Sequence, residues 1–157
     1  MHNQSQYSKS ELKVLVKAIQ YINQHPPAWN YTDVTNENHF SRKTLHAFAK
    51  AIQHIHKHPL EWTSPDELCS YIDINQSTLQ AVFLRKTGRT ISGYYETIRI
   101  TIACVLLADE SLSTKEIAAI CGYSSQSSFN KAFKRVKHVS PCKWTINNEN
   151  HSLENGK

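Results

Sequence analysis

Apolar residues recur along this chain at steps of three and four, and most runs open on a capping signal and stop at proline or glycine. That spacing is the period of a helix. Ser8-Lys9-Ser10-Glu11 has the capping-box form, and Leu12, Leu15, Val16, Ile19 and Ile22 follow on one face until His25-Pro26-Pro27. A second helix is predicted from near Ser41, carrying Leu45, Phe48, Ile52 and Ile55 to His58-Pro59. Ser64-Pro65-Asp66-Glu67 sets serine at the N-cap, proline at the first helical position and glutamate at the third, and predicts a short helix ending around Ile72-Asp73. Another begins near Asn75, packs through Leu79 and Phe83, and ends at Gly88. From Ile91 to Ala108 a stripe of Tyr95, Ile98, Ile102 and Val105 predicts a longer helix of about 25 Å. Ser113-Thr114-Lys115-Glu116 is a further capping box, with Ile117 and Ile120 facing inward and Cys121-Gly122 closing the helix. The last long helix runs from about Ser125 to Lys137, Pro141 and Trp144 mark one more short turn, and the end of the chain reads as a flexible tail from residue 146 to 157.

Glycine placement favours helices over sheets. The four glycines sit at 88, 93, 122 and 156, so the first 87 residues have none of the usual tight-turn residue of β-sandwiches and barrels. With 39% hydrophobic and 20% charged residues in 157, the composition is that of one domain of ordinary size or two small ones sharing an element. No run approaches the roughly 18 apolar residues of a membrane span, and MHNQSQYSKS lacks a secretory apolar stretch, so the expected address is cytoplasmic. Cysteines at 69, 104, 121 and 142 show neither a CxxC pair nor regular spacing, and read as scattered core thiols. The net charge of +5 favours an acidic polymer as partner. Its distribution sharpens this: between Ser124 and Lys143 the formally charged residues are Lys131, Lys134, Arg135, Lys137 and Lys143.

A repeat is also visible. KAIQYINQHPPAWNYTD from Lys17 matches KAIQHIHKHPLEWTSPD from Lys50, at an offset of 33 residues. Two copies fall short of the roughly three a solenoid needs. Duplication of the helix preceding Ser64 is the better account, and residues 1–48 read as a helical extension that either packs on the rest or forms a degenerate third unit.

Two segments, Ser64 to Lys86 and Ser113 to Lys137, share one plan: a capped short helix, a turn, and a second helix. In such helix-turn-helix units the second helix enters the DNA major groove, with its N-terminal residues at base edges. Gly122 then supplies the turn, Phe129, Phe133 and Val136 the inward face, and Gln126, Ser127, Asn130, Lys131 and Lys134 the outward one. Gln and Asn pair with adenine, serine adapts to several bases, and lysine reaches guanine or phosphate.

STKEIAAICGYSSQSSFNKAFKRVKHVSPCKW, TLQAVFLRKTGRT and YYETIRITIACVLLAD together resemble the DNA-binding domain of the AraC/XylS-type transcription regulators, across roughly Ala49 to Thr145. The resemblance implies an all-α fold in which two helix-turn-helix subdomains are joined by a long linker helix, following the N-terminal extension. It implies a DNA-binding transcription regulator, an activator by preference, with two recognition helices in successive major-groove turns of double-stranded DNA. Gln76, Ser77, Thr78 and Gln80 would face bases from the first unit, and Gln126, Ser127, Ser128, Asn130 and Lys131 from the second, with Ser125, Lys134, Arg135 and Lys137 completing the DNA-binding set. Departures from the family pattern are Asp73 for the turn glycine, Ala81 for a frequent arginine, His138 for glycine and Thr145 for a terminal arginine. No effector domain is expected in the 48 residues preceding the match, and no cofactor.

Other chemistries fit less well. His54 and His58 lie at i and i+4 but lack a third ligand of matching spacing, so no metal is expected, and Cys142 has nothing beside it in sequence to activate a thiol. No paired carboxylates, nucleophile-base pair or phosphate-cradling loop appears, so the chain is not read as an enzyme. Trp29, Trp62, Tyr94 and Tyr95 are expected in the core. The alternative function is an interaction module with a decayed DNA surface, acting on another regulator or on RNA polymerase.

Overall fold

The computed structural model describes residues 40–108 and 111–146, with the single positions 16, 17, 20 and 24. Apart from those single positions, the expected first helix from Ser8 lies outside these residues, as do Trp29 and the tail beyond residue 146. The described residues are all-helical: α1 (Arg42–Lys57), α2 (Pro65–Ile72), α3 (Gln76–Thr87), α4 (Ile91–Leu107), α5 (Thr114–Ile120) and α6 (Gln126–Lys137), followed by a short helix at 141–146. They fall into two compact units, and the division lies within α4, between Ile98 and Arg99.

Capping chemistry sets the helix starts. The Ser41 hydroxyl accepts the Thr44 N–H at 3.1 Å to open α1. At α2 the Ser64 hydroxyl accepts the Glu67 N–H (3.2 Å) while the Glu67 carboxylate accepts the Ser64 N–H (2.9 Å). The same exchange opens α5, where the Glu116 N–H reaches Ser113 Oγ at 3.3 Å and the Ser113 N–H reaches the Glu116 carboxylate at 2.7 Å. These bonds satisfy N–H groups that the helix itself leaves without partners. They also hold both glutamates below the usual carboxylate range, through backbone and side-chain bonds to Ser64 for Glu67 and side-chain and backbone bonds to Ser113 for Glu116.

In the first unit α1 buries Thr44, Ala47, Phe48, Ala51, Ile52 and Ile55, a stripe at helical spacing that packs on α3. Phe83 is the hub of the core: its ring meets Phe48 at 5.0 Å and Tyr94 at 5.7 Å, both edge to face. Burial of such rings supplies most of the driving force in a unit this small. His56 donates to or accepts from the Tyr94 hydroxyl at 2.8 Å, and burial lowers its pKa below the ordinary 6.5. The rings of His54 and His58 lie 5.0 Å apart, with His54 bonded to Thr63 and His58 paired with Glu61. Trp62, expected in the core, is instead 50% exposed and leans one face on Tyr95, because it sits in the loop ahead of the α2 cap.

The linker helix differs from its predicted single stripe. Tyr95, Ile98 and Ile102 are fully buried as expected, whereas Val105 is only partly covered and Ile91, Tyr94, Ile100, Ala103 and Leu106 are buried as well. The reason is its double duty: residues 91–98 are core of one unit and residues 99–107 core of the other, so apolar positions appear on more than one side. In the second unit an aromatic chain runs from Tyr123 to Phe129 (5.4 Å), Phe133 (5.7 Å) and Trp144 (6.1 Å). Ala132 is buried with Phe129 and Phe133, while Val136, expected with them, is half-buried near the end of α6. Two thiols are chemically quiet here: desolvation pushes the half-buried Cys104 up to about 11 and the buried Cys121 up to about 12.

Candidate nucleic-acid interface

Each unit presents the second helix of a helix-turn-helix. In the first, α2 ends at Asp73, which adopts the left-handed conformation (φ 59°), and the Ile74 N–H reaches back to the Cys69 carbonyl at 3.1 Å. Asn75 then caps α3, its Oδ1 accepting the Ser77 N–H at 2.9 Å. In the second, Gly122 takes the turn at φ 77°, and the Tyr123 N–H reaches the Ala118 carbonyl at 2.9 Å. A β-carbon at Gly122 would lie 3.7 Å from the Arg99 guanidinium carbon, so the strain of the turn itself, rather than crowding, keeps glycine there. Ser125 caps α6 by accepting the Ser128 N–H at 3.1 Å.

With Phe129, Ala132 and Phe133 turned to the core, α6 exposes Gln126, Ser127, Lys131, Lys134 and Arg135. Ser127, Lys131 and Lys134 form one row at i, i+4 and i+7, with Gln126 beside its start. The row carries amide, hydroxyl and ammonium groups and no carboxylate. Ser125 and Ser128 belong to the cap, their hydroxyls 2.7 Å apart. Lys137 is placed differently from the other cations. Half-buried, it holds its ammonium 5.0 Å from the Trp144 ring centre and beside the Cys104 thiol.

On α3, Gln76 and Ser77 are exposed and Thr78 is half-buried. Gln80, expected to face bases, is committed elsewhere: its Oε1 accepts the Ile91 N–H at 3.0 Å, which caps the start of α4. A buried helix start needs an acceptor, and Gln80 is the side chain within reach. The two recognition helices register at an offset of 50: Gln76 with Gln126, Ser77 with Ser127, Gln80 with Asn130, Phe83 with Phe133, and Ile91 with Pro141. The last pair explains a polar anomaly. Asn130 Oδ1 is buried without a hydrogen-bond partner, and the residue matching Ile91 is a proline, which has no N–H to give. Sequence reasoning missed this because Gln80 and Ile91 are eleven residues apart and meet only in the folded unit.

Comparison with known proteins adds the decisive observation. A helix-turn-helix domain family model matches residues 68–145. The HTH-type transcriptional activator RhaR of Cronobacter sakazakii is 40% identical over 76 residues, which is 48% of this chain and 27% of that protein. Residues 68–145 are a DNA-binding domain of the AraC/XylS type. Solved structures agree on the fold of this AraC/XylS-type domain. A transcriptional regulator with an AraC-type DNA-binding domain from Chromobacterium violaceum superposes with a TM-score of 0.60 at 23% identity, over 68% of this chain and 95% of that one. The DNA-binding domain of AdpA, solved in complex with a target DNA, gives 0.57 at 23% identity, over 64% of this chain and 90% of that one. The match to RhaR spans about a quarter of that relative's length.

Proposed function

We propose that this chain is a sequence-specific, DNA-binding transcription regulator, most naturally an activator, whose helices α3 and α6 enter successive major-groove turns of one duplex. The observation that carries the reading is the exposed row on α6, where Ser127, Lys131 and Lys134 follow Gln126 on a helix capped at its N-terminus and anchored by Phe129 and Phe133. Gln126, Ser127 and Lys131 are assigned to base edges, and Lys134 and Arg135 to guanine or phosphate. On α3 the assignment falls on Gln76 and Ser77, with Thr78 at their flank. A regulator of this type acts in the cytoplasm, with RNA polymerase as its second partner once DNA is bound. The domain is taken to begin with α1 at Arg42, because the expected start at Ala49 falls inside that helix. The interaction-module reading is not favoured, since the matched relative is itself named a transcriptional activator.

The test is binding to duplexes selected from a random pool, at several salt concentrations. Six to eight phosphate contacts predict a slope of log affinity against log salt of about −5 to −7. Lys131→Ala and Gln126→Ala should relax preference at particular base pairs, while Lys143→Ala, exposed on the short helix, should weaken all duplexes alike. A flat salt response with no preferred duplex would overturn the reading.

A further inference from the structure

The offset of 50 also exposes a difference between the two reading faces. Where α6 has Lys131 and Lys134, α3 has Ala81 and Leu84. Both are exposed, and Leu84, at 55%, is among the few large apolar side chains in the described residues left that open. Ser77, Ala81 and Leu84 form one row at i, i+4 and i+7, the counterpart of Ser127, Lys131 and Lys134. Residues Gln76 to Leu84 carry no charged side chain, so no side chain of this stretch offers a phosphate an ion pair.

A helix face of this kind in a major groove meets four base pairs that differ in one apolar feature. Every edge presents hydrogen-bonding groups, and thymine alone adds a C5-methyl group. An exposed alanine and leucine following Gln76 and Ser77 match an edge of methyls preceded by adenine-type donors and acceptors. Lysines at the same register in α6 match guanine. Resting on the DNA-binding function proposed above, we propose that α3 reads thymine C5-methyl groups through Ala81 and Leu84, so that the half-site under α3 is selected by apolar contact and that under α6 by charge-assisted hydrogen bonds. Beyond the base edges assigned to Gln76 and Ser77, specificity of the first unit is then set by two residues that make no hydrogen bond to DNA through their side chains.

The contact can be tested by removing the methyl alone. The full chain is used to select preferred duplexes, and each thymine is then replaced in turn by deoxyuridine, which pairs identically but lacks the methyl. Binding of the unaltered protein is expected to weaken about fourfold for each contacted methyl, the value for one buried carbon group. Ala81→Lys should remove that sensitivity at one thymine and shift the preference at that base pair from thymine to guanine, leaving the methyl under Leu84 still felt. Leu84→Lys should steepen the salt slope by about one. Because the thymine replacements use the unaltered protein, misfolding of a variant cannot produce the result. If a preferred duplex is found but no thymine methyl matters, or if the sensitivity survives in the Ala81→Lys, Leu84→Lys protein, the inference is overturned while DNA reading stands. If the double variant keeps its duplex preference but loses RNA polymerase, the face is a protein contact and the inference falls. If no duplex is preferred at all, both readings fall together.

Discussion

Among the described residues two that are not glycine occupy the left-handed region, Asp73 at φ 59° and His138 at φ 63°. For His138 the comparison is internal. Gly88 ends α3 at φ 68°, and His138 ends α6 at the matching position with the same back-bond, its N–H reaching the Lys134 carbonyl at 2.9 Å. An L side chain there costs about 1–2 kcal/mol, partly offset because glycine is floppier when unfolded. His138→Gly should therefore stabilise the protein by about 0.5–1 kcal/mol, read as a raised midpoint in thermal or urea unfolding. Asp73→Gly should gain less, since aspartate visits this region more readily. These positions were legible beforehand as departures from a glycine pattern. The commitment of Gln80 to Ile91 was not, because nothing in a local window tells a glutamine that faces solvent from one that caps a helix folded back against it.

At the scale of the helix, what was legible followed the strength of the local signal. Capping boxes at Ser64 and Ser113 and the N-caps at Asn75 and Ser125 stand where the sequence placed them, since each works through hydrogen bonds spanning three residues. The reading faltered where burial comes from two directions, as in α4, whose coverage a single stripe could not describe. Among the recognition helices the caps carry a separable share of stability. Asn75→Ala removes the acceptor for the Ser77 N–H, and Ser125→Ala removes that for the Ser128 N–H. Each should cost about 1 kcal/mol in unfolding free energy. Glycine at either site should cost only a few tenths.

For the molecule as a whole, acid acts on several buried or hydrogen-bonded groups in one direction. His56 is lowered by burial, and His54 by burial and then by the neighbouring charge of His58. A histidine lowered in the folded state binds its proton more readily when unfolded. Its neutral form supports the fold above the ordinary 6.5, and that support is lost as pH falls below it. Glu67 and Glu116, held low by their capping serines, add a second loss at more acidic pH, as each is protonated. Unfolding free energy measured from pH 8 down to about 2 should thus decline in two stages, the first below the ordinary histidine value of 6.5 and the second below the ordinary carboxyl value of 4.5. His56→Gln should flatten the first stage in part, leaving the share of His54; an unchanged slope would show that His56 does not set it. The bipartite plan itself could be read in advance, because two capped helix pairs flank one long apolar segment.

The fixed register between α3 and α6 makes the two helices interchangeable parts. Both are twelve residues long, both start on a polar cap and end on a left-handed residue, and their inward faces trade Leu79 and Val82 for Phe129 and Ala132 around a shared phenylalanine. Volume lost at one core position is partly regained at the other, which lessens the repacking that an exchange would need. Residues 76–87 and 126–137 can then be transplanted as cassettes provided that glutamine is kept at position 80 for the Ile91 N–H, and a chain with its reading helices swapped or doubled becomes a way to compose new operators from two existing words.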